Sequence, residues 1–475
     1  MSADDEIKGD LTVLRSRARE LARNNSYTKR YFKLLVNNVV GPTGIGLQAK
    51  IIQGDGLDRE TNAAIETAWK EWANAPVSVD GKQTLRQFEI LLLKTLACDG
   101  ETFVRLYRGH PTNRHGLALQ FVDADLVDHR FNREAREGKN EIRMGVEIDK
   151  FGAPVGYWIW DKPPSVAIAS VRKRYFVAAT DMRHLYAQDR VNQTRGVTWV
   201  HSVMVPAHML DAYEQTEAVA ARIGASKMGF IQKQEGAIGT GTGSNKAPAR
   251  MEASPGTFEV LTDGYEAKFW DPAHPTSQFP SFVKQLLRKI ASGFSVGYNV
   301  LANDAEGVSY STMRSFALIE RDDWRVIQED LVDWWRKPLY GDWLGMALLT
   351  GSLKLATRDP RLYMAVRHRP RGWPWVDPEK EVKASSLAIG TGLDSRTSVL
   401  AAKGVDIDDL FKELADEKAL AESYGISITT DPPADETKTK AEWEAENEED
   451  AGGGNGVDRV ATDQVVGFRS QRSSP

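Results

Sequence analysis

Between Ala18 and Gln48 the chain reads ARELARNNSYTKRYFKLLVNNVVGPTGIGLQ, and this stretch narrows the possible folds more than any other. Leu11, Leu14, Ala18 and Leu21 recur at helical spacing, and Tyr27, Tyr31, Leu34 and Leu35 do so again after the polar break Asn24-Asn25-Ser26. Pro42 and the three glycines of GPTGIG then end the second helix, because Pro lacks a donor and Gly accepts backbone angles other residues avoid. The segment predicts a basic amphipathic helix, a second helix, a tight turn and a strand.

At 475 residues the chain exceeds one ordinary domain, and two to three structural regions are expected. A hydrophobic share of 41% supports a sizeable core. The formal net charge of -5 disfavours a protein whose main task is to grip phosphates, which needs dense cationic surface. It is compatible with transient DNA contact or with a channel in which DNA slides. The single cysteine, Cys98, excludes a disulfide framework and Cys-rich metal sites, and reads as a small buried hydrophobe. The N-terminus MSADDEIKGD has no apolar stretch of a secretory signal, and no window approaches the ~20 apolar residues that span a bilayer. A soluble protein made in the cytoplasm, without membrane contact, is expected.

The first region, to about Pro206, alternates helices and strands. A strand LQAKIIQG precedes a Trp-bearing helix, AAIETAWKEWAN, and an apolar helix over Leu85–Cys98. Strands follow in ETFVRLYRG and LALQFVDADLVD, then a hairpin in GVEIDKFGAPVGYWIW. A second region is helix, loop-rich insert, helix. Ala207–Met228 carries Ala218, Ala221, Ala225 and Met228 on one small-residue face, which suits an inter-subunit helix and an ordinary core helix equally. Gly229–Pro275 holds the run IGTGTGSNK and a hairpin expected around Asp263-Gly264. Gln278–Val296 returns to helix, with Phe282, Leu286, Ile290 and Phe294 on one face. After the polar loop NDAEGVS, a long helix is expected from Tyr310 to Lys337, striped by Met313, Phe316, Ile319, Trp324, Ile327, Leu331 and Trp334 and stopped by Pro338. RPRGWPWVDPEKE is expected to be irregular, shorter helices follow with Asp406–Ala421 the clearest, and the acidic, Gly-rich tail from about Thr430 is expected to be disordered.

Asp123, Asp125, Asp128 and His129 form the densest cluster of acidic and imidazole side chains. Carboxylates near a strand end suit Mg²⁺, and strand alternation would set Asp123 and Asp125 on one face; an ordinary solvated strand end has the same pattern. His201 and His208 lack metal-ligand spacing, and Pro206 between them is expected to break a shared helical face. GTGTGSNK lacks the GK[ST] triplet of a phosphate loop and reads as an exposed loop. Ser309, Ser311 and Ser315 have no nucleophile elbow around them, and Ser309 or Ser311 is read as a helix N-cap. The basic runs Arg172–Arg174 and Arg367–Gly372 are read as surface charge without a partner. No catalytic residue, cofactor site or metal site is assigned.

Several stretches, in order from Leu11 to Lys337, resemble the lambda family of bacteriophage portal proteins. CDGETFVRLY is similar to the family's D-G-E strand, LQFVDADLVD to its D-A-D stretch, and IRMGVEIDKFGAPVGYWIW to its G-V-E-x-D-x-x-G-x-P-x-x-Y hairpin. Arg195-Gly196-Val197-Thr198-Trp199, AVAARIGA, IASGFSVGYNVL and GVSYSTMR fit further family wording; Ser309 departs from it, standing where Asn is usual. The resemblance weakens beyond Trp373. It implies an α+β portal fold with a mixed α/β wing, long stem helices, a small clip insert and an α-helical crown, assembled as a homododecameric ring. By position, 1–205 would be wing, 206–228 and 276–298 the stem helices, and 229–275 the clip. The tunnel loop and long helix would occupy 299–340, the crown 341–429 and the tail 430–475.

The implied role is a non-enzymatic conduit for double-stranded DNA at one capsid vertex of the virion, assembled in the bacterial host cytoplasm. Its implied partners are the terminase large subunit, major capsid and scaffold proteins, and head-completion or connector proteins. Lys284, Arg288, Lys289, Asn303, Asp304, Ser309 and Tyr310 would face the channel, a solvated helix face explaining the three cations equally well. Gly239, Gly241, Gly243 and Lys246 would lie in the terminase-docking clip. The rival readings are a metal-dependent nuclease using Asp123, Asp125 and Asp128, and another ring-forming capsid or tail adaptor.

Overall fold

A computed structural model describes residues 1–53, 56–163, 172–225, 229–233, 265–269, 278–373 and 378–426. A short helix α1 (Ala3–Ile7) precedes the two expected ones, α2 (Leu11–Asn24) and α3 (Ser26–Val39). Asn25 divides them: its side-chain oxygen accepts the Thr28 amide at 2.8 Å and satisfies one of the helix's orphan donors. Gly41 and Gly44 take left-handed angles and turn the chain into β1 (Gly46–Ala49), followed by β2 (Ile52–Gln53) and β3 (Gly56–Leu57). The strand expected over LQAKIIQG is thus interrupted, because the Ile51 amide donates to the Asn62 side chain instead of continuing a ladder.

Next come α4 (Arg59–Asn74) and α5 (Leu85–Asp99), the latter opened by a Thr84–Gln87 capping box. Gly100 closes α5 at φ +85°, where a Cβ would sit 2.2 Å from the Val197 carbonyl carbon, so only Gly fits the close approach. The strands β4 (Glu101–Arg108) and β5 (Leu117–Val122) pair antiparallel. A meander follows of β6 (Glu141–Arg143), β7 (Val146–Ile148), β8 (Pro154–Trp160) and β9 (Arg174–Ala178), after which β10 (Met182–Tyr186) returns to pair with β4. β5 ends at Val122, so Asp123 and Asp125 do not share a strand face. Asp123 instead caps a single 3-10 turn over Ala124–Leu126.

α6 (Met204–Ala225) begins two residues before Pro206, which therefore sits in the first turn, where its missing N–H leaves no helical bond unmade. Pro206 does not break the helix; His201 lies in the preceding turn and His208 on α6, both exposed. β11 (Gly229–Lys233) and β12 (Tyr265–Phe269) pair antiparallel between α6 and α7 (Phe279–Gly293). The other arm of the hairpin expected around Asp263-Gly264 lies outside the described residues.

α8 (Tyr298–Ala302) and α9 (Tyr310–Leu331) follow, and Ser309 caps α9 by accepting the Thr312 amide at 3.2 Å, as expected. Pro338 does not stop the long helix. α9 passes through a π-helical turn over Val332–Arg336 into α10 (Lys337–Thr350), and the Lys337 amide reaches back to the Val332 carbonyl. The wider turn makes room for a ring that lacks an N–H and would collide with the carbonyl four residues before it. The apolar stripe of α9 also splits: Trp324 and Leu331 are buried, whereas Met313, Phe316 and Ile319 are exposed.

β13 (Val366–Arg369) pairs with β1, so the basic run Arg367–Gly372 is part of a strand and its exit, not unpartnered surface. Arg369 Nη1 lies 3.2 Å from Asp406, and Arg371 donates to the Asn37 carbonyl. Arg172 and Arg174 are likewise engaged within the chain, by the Lys162 carbonyl and by Asp128. α11 (Pro378–Gly390), α12 (Arg396–Ala402) and α13 (Ile407–Ser423) are the expected shorter helices. The chain divides into two compact units, Met1–Ile407 and Asp408–Pro475. The tail from Thr430 lies outside the described residues.

The larger core of the first unit gathers α2 to α5, β4 and β5 with α6, α7, the end of α9 and α10. Trp69, Trp72 and Trp343 form its aromatic centre, with Trp69 and Trp343 edge to face at 5.0 Å. A boundary at 340/341 would cut through α10 between Tyr340 and Trp343, both of which pack on Trp69. Trp343, Leu344, Ala347, Leu353 and Tyr363, beyond that boundary, belong to the same core. A smaller core lies between the β4–β10 pair and the meander, built on Phe103, Tyr157, Ile159 and Val177.

Candidate functional site

The carboxylate cluster is answered by arginines from α2. Arg15 and Arg19 stand four apart on one helical face. Arg15 Nη1 reaches Asp125 at 2.6 Å, and Arg19 reaches Asp99 at 2.6 Å, Asp125 at 2.6 Å and Asp123 at 3.0 Å. Asp128 pairs with Arg174 at 3.3 Å. The Asp99 hydrogen bonds hold the Arg19 guanidinium firmly cationic. Among the described residues no group of three or more His, Cys, Asp or Glu side chains could hold a metal ion. The three aspartates of the nuclease reading thus each pair with a guanidinium group.

At the centre of this network is Glu101, the first residue of β4 and fully buried. Its carboxylate meets Arg15 at 2.7 Å, Arg195 Nε at 2.8 Å and His184 Nε2 at 2.9 Å, and accepts the Gly196 amide at 3.2 Å. Burial alone would push Glu101 up, but Arg195, the His184 hydrogen bond and Arg15 outweigh it and hold the group far below the usual carboxylate range. Burial keeps His184 below its ordinary value and pushes His368 down to about 3.

These directions fix a pH dependence. Glu101, with its value depressed, contributes full stability above its ordinary value of 4.5 and loses it as pH falls. His184 and His368 stay neutral in the fold, so the unfolded chain takes up their protons first as pH drops below 6.5. The urea midpoint is therefore expected to hold between neutral and mildly alkaline pH, decline below about 6.5 and fall faster below about 4.5. His368→Gln should flatten the first part of that decline.

The helical hairpin of α6 and α7 is anchored at its base. Asn25 Nδ2 donates to Asp211 at 2.9 Å, the Tyr27 hydroxyl donates to Glu214 at 3.3 Å, and Tyr31 stacks on Phe294 at 4.1 Å. Tyr213 of α6 meets Phe282 of α7 at 4.8 Å. Of the expected channel residues, the structure brings Lys284, Arg288 and Asp304 together around the Tyr298 ring. Lys284 and Arg288, four apart on α7, lie 5.7 and 5.6 Å from its centroid. Asp304 pairs with Lys284 at 3.5 Å and accepts the Tyr298 hydroxyl at 2.7 Å. Burial and this bond push the Tyr298 phenol up to about 12. Lys289 is exposed but lies off that face. Asn303 ends α8 in the left-handed region, Ser309 is occupied as a cap, and Tyr310 is exposed on the first turn of α9. Gly239, Gly241, Gly243 and Lys246 lie outside the described residues.

Cys98 is half-buried and lines the groove between α3 and α5, not a fully buried hydrophobe as expected, and burial pushes its thiol up to about 12. Sequence reasoning missed Arg15, Arg19 and Arg195 as partners of the carboxylates. Only the four-residue spacing of Arg15 and Arg19 hinted at a shared cationic face.

The family described as phage portal protein, lambda family, matches residues 1–328. A probable portal protein of Halomonas phage phiHAP-1 is 34% identical over 438 residues, covering 89% of this chain and 83% of that one. Portal protein B of Escherichia phage lambda is 22% identical, covering 91% of this chain and 87% of its own length. Among solved structures, the neck of an empty gene transfer agent particle aligns with a TM-score of 0.45 at 15% identity, over 83% of this chain and 93% of that one. The chain belongs to the lambda family of phage portal proteins.

Proposed function

We propose that the chain is the subunit of a dodecameric portal ring at one capsid vertex, through which double-stranded DNA enters during packaging and leaves during ejection. The observation that carries this reading is the helix–insert–helix of α6, the β11–β12 pair and α7 in a chain of this family. In this reading residues 1–205 are wing, α6 and α7 the stem, and 229–275 the clip that docks the terminase large subunit and later connector proteins. The loop over 303–310 lines the channel. Capsid and scaffold proteins meet the ring during assembly in the host cytoplasm, and terminase supplies ATP hydrolysis, so the portal itself carries no catalysis. The net charge of -5 supports a conduit that does not hold DNA tightly. Arg288 and Lys289 are the cations offered to a passing phosphate, since Asp304 offsets Lys284.

Native mass spectrometry of the purified chain tests this reading. Twelve copies of the 52.8 kDa chain give about 630 kDa in a closed ring. A species near that mass with a central hole wide enough for duplex DNA in negative stain is expected. A chain that stays monomeric with its capsid and scaffold partners present would sink the proposal.

A further inference from the structure

An open groove of about 790 Å³ runs between α3, α5 and the end of β5, closed at one end by Arg19, Asp99 and Asp123 of the polar network and not used by the helical hairpin. Its floor is apolar: Phe32 and Val36 come from α3, Phe121 from β5, and Leu91 on α5 is 41% exposed beside them. Its banks carry three lysines, and its two lining carboxylates, Asp99 and Asp123, are both paired with Arg19. Lys29 and Lys33 stand four apart on α3, and Lys94 faces them from α5. All three are exposed, and among the described residues none is held in an ion pair. Arg19, at one end, is already engaged by Asp99 and Asp123. The groove falls in the size range of built binding clefts and is too large to be a packing defect.

We infer that this groove docks an acidic, amphipathic peptide segment of a partner protein, which lays an apolar face on Phe32, Val36 and Leu91 while its carboxylates meet Lys29, Lys33 and Lys94. Lysines on both banks require anionic groups on both edges of the occupant, and the apolar floor requires a non-polar stripe between them. An amphipathic helix with acidic flanks has that pattern. Duplex DNA does not, because its phosphates can meet the lysines but nothing in its backbone covers the floor. This inference stands apart from the portal reading and survives if the ring does not form.

The test is fluorescence anisotropy on the full chain with a labelled peptide of about four helical turns. The peptide carries Leu and Trp at i, i+3, i+4 and i+7 and Glu elsewhere. Saturable binding is expected, weakened at least ~10-fold by Lys29→Glu/Lys33→Glu/Lys94→Glu, which loses three attractive contacts and adds repulsion. A scrambled peptide of the same composition, and Leu91→Asp, should weaken it comparably. Circular dichroism melts check that these surface changes leave the fold intact. Equal affinity for the scrambled peptide, or no response to the charge reversals, overturns the inference. So does a result in which a short duplex DNA, but not the peptide, loses its binding in the charge-reversed chain.

Discussion

Glu101→Ala should cost about 3–5 kcal/mol of stability, the usual result of removing one partner from a buried ion pair. The side chain is fully buried, and its loss strands Arg195 and His184 in the interior and leaves Arg15 with Asp125 alone. The position is also where the two cores meet, since Phe103 of the same strand packs in the smaller core and Val104 in the larger. Trp fluorescence against urea reads the effect as a lowered midpoint. Adding Arg195→Met should recover part of the loss, because it removes the uncompensated charge. A single-variant shift below about 1 kcal/mol would contradict the role assigned to Glu101.

In the ring proposed above, Phe316→Glu/Ile319→Glu should abolish ring formation while leaving the folded chain intact. Tyr310, Met313, Phe316 and Ile319 are 61%, 41%, 55% and 61% exposed, a stripe of large side chains along the first three turns of α9 that a monomer leaves in water. Burying Phe316 and Ile319 against a neighbour contributes about 1.5–3 kcal/mol each, and a carboxylate in the same place must be desolvated without a partner. Repeated at every interface of a closed ring, the penalty leaves no stable oligomer. Native mass spectrometry should show loss of the ring species with an unchanged circular dichroism melt. Ring formation at wild-type level would remove α9 from the interface. A monomer that no longer melts cooperatively would place the stripe in the subunit's own core.

The parts of the fold that were legible in the sequence rest on short-range rules. The break at Asn24-Asn25-Ser26, the turn at Gly41 and Gly44 and the Ser309 cap each depend on residues within about one helical turn. The hairpin of β7 and β8 follows from alternation around Asp149–Gly152. Pro338 misled, because local propensity treats proline as a stop and cannot see that a π turn relieves the clash. The stripe on α9 misled differently. Periodicity marks which residues share a face, but not whether that face is covered by the same chain.

The candidate site divides along the same line. The acidic cluster at Asp123–Asp128 was visible as a cluster, but its chemistry was not, because the cations that neutralise it come from α2. Arg15 and Glu101 lie 86 residues apart and Arg15 and Asp125 lie 110 apart. Lys284 and Arg288 could be placed on one face by spacing alone, whereas Asp304 and Tyr298 joined them only through the turn between α7 and α9.

The sequence by itself determined the opening helix–helix–turn–strand, the helix–insert–helix order and the portal family, because caps, turns, periodicity and ordered motifs are written in neighbouring residues. Only the tertiary structure decided that the aspartates serve ion pairs, that β13 closes on β1, that α10 fills the N-terminal core and that half of α9 is left exposed. Each of these depends on which distant surfaces meet, and that is set by packing and desolvation across the whole chain.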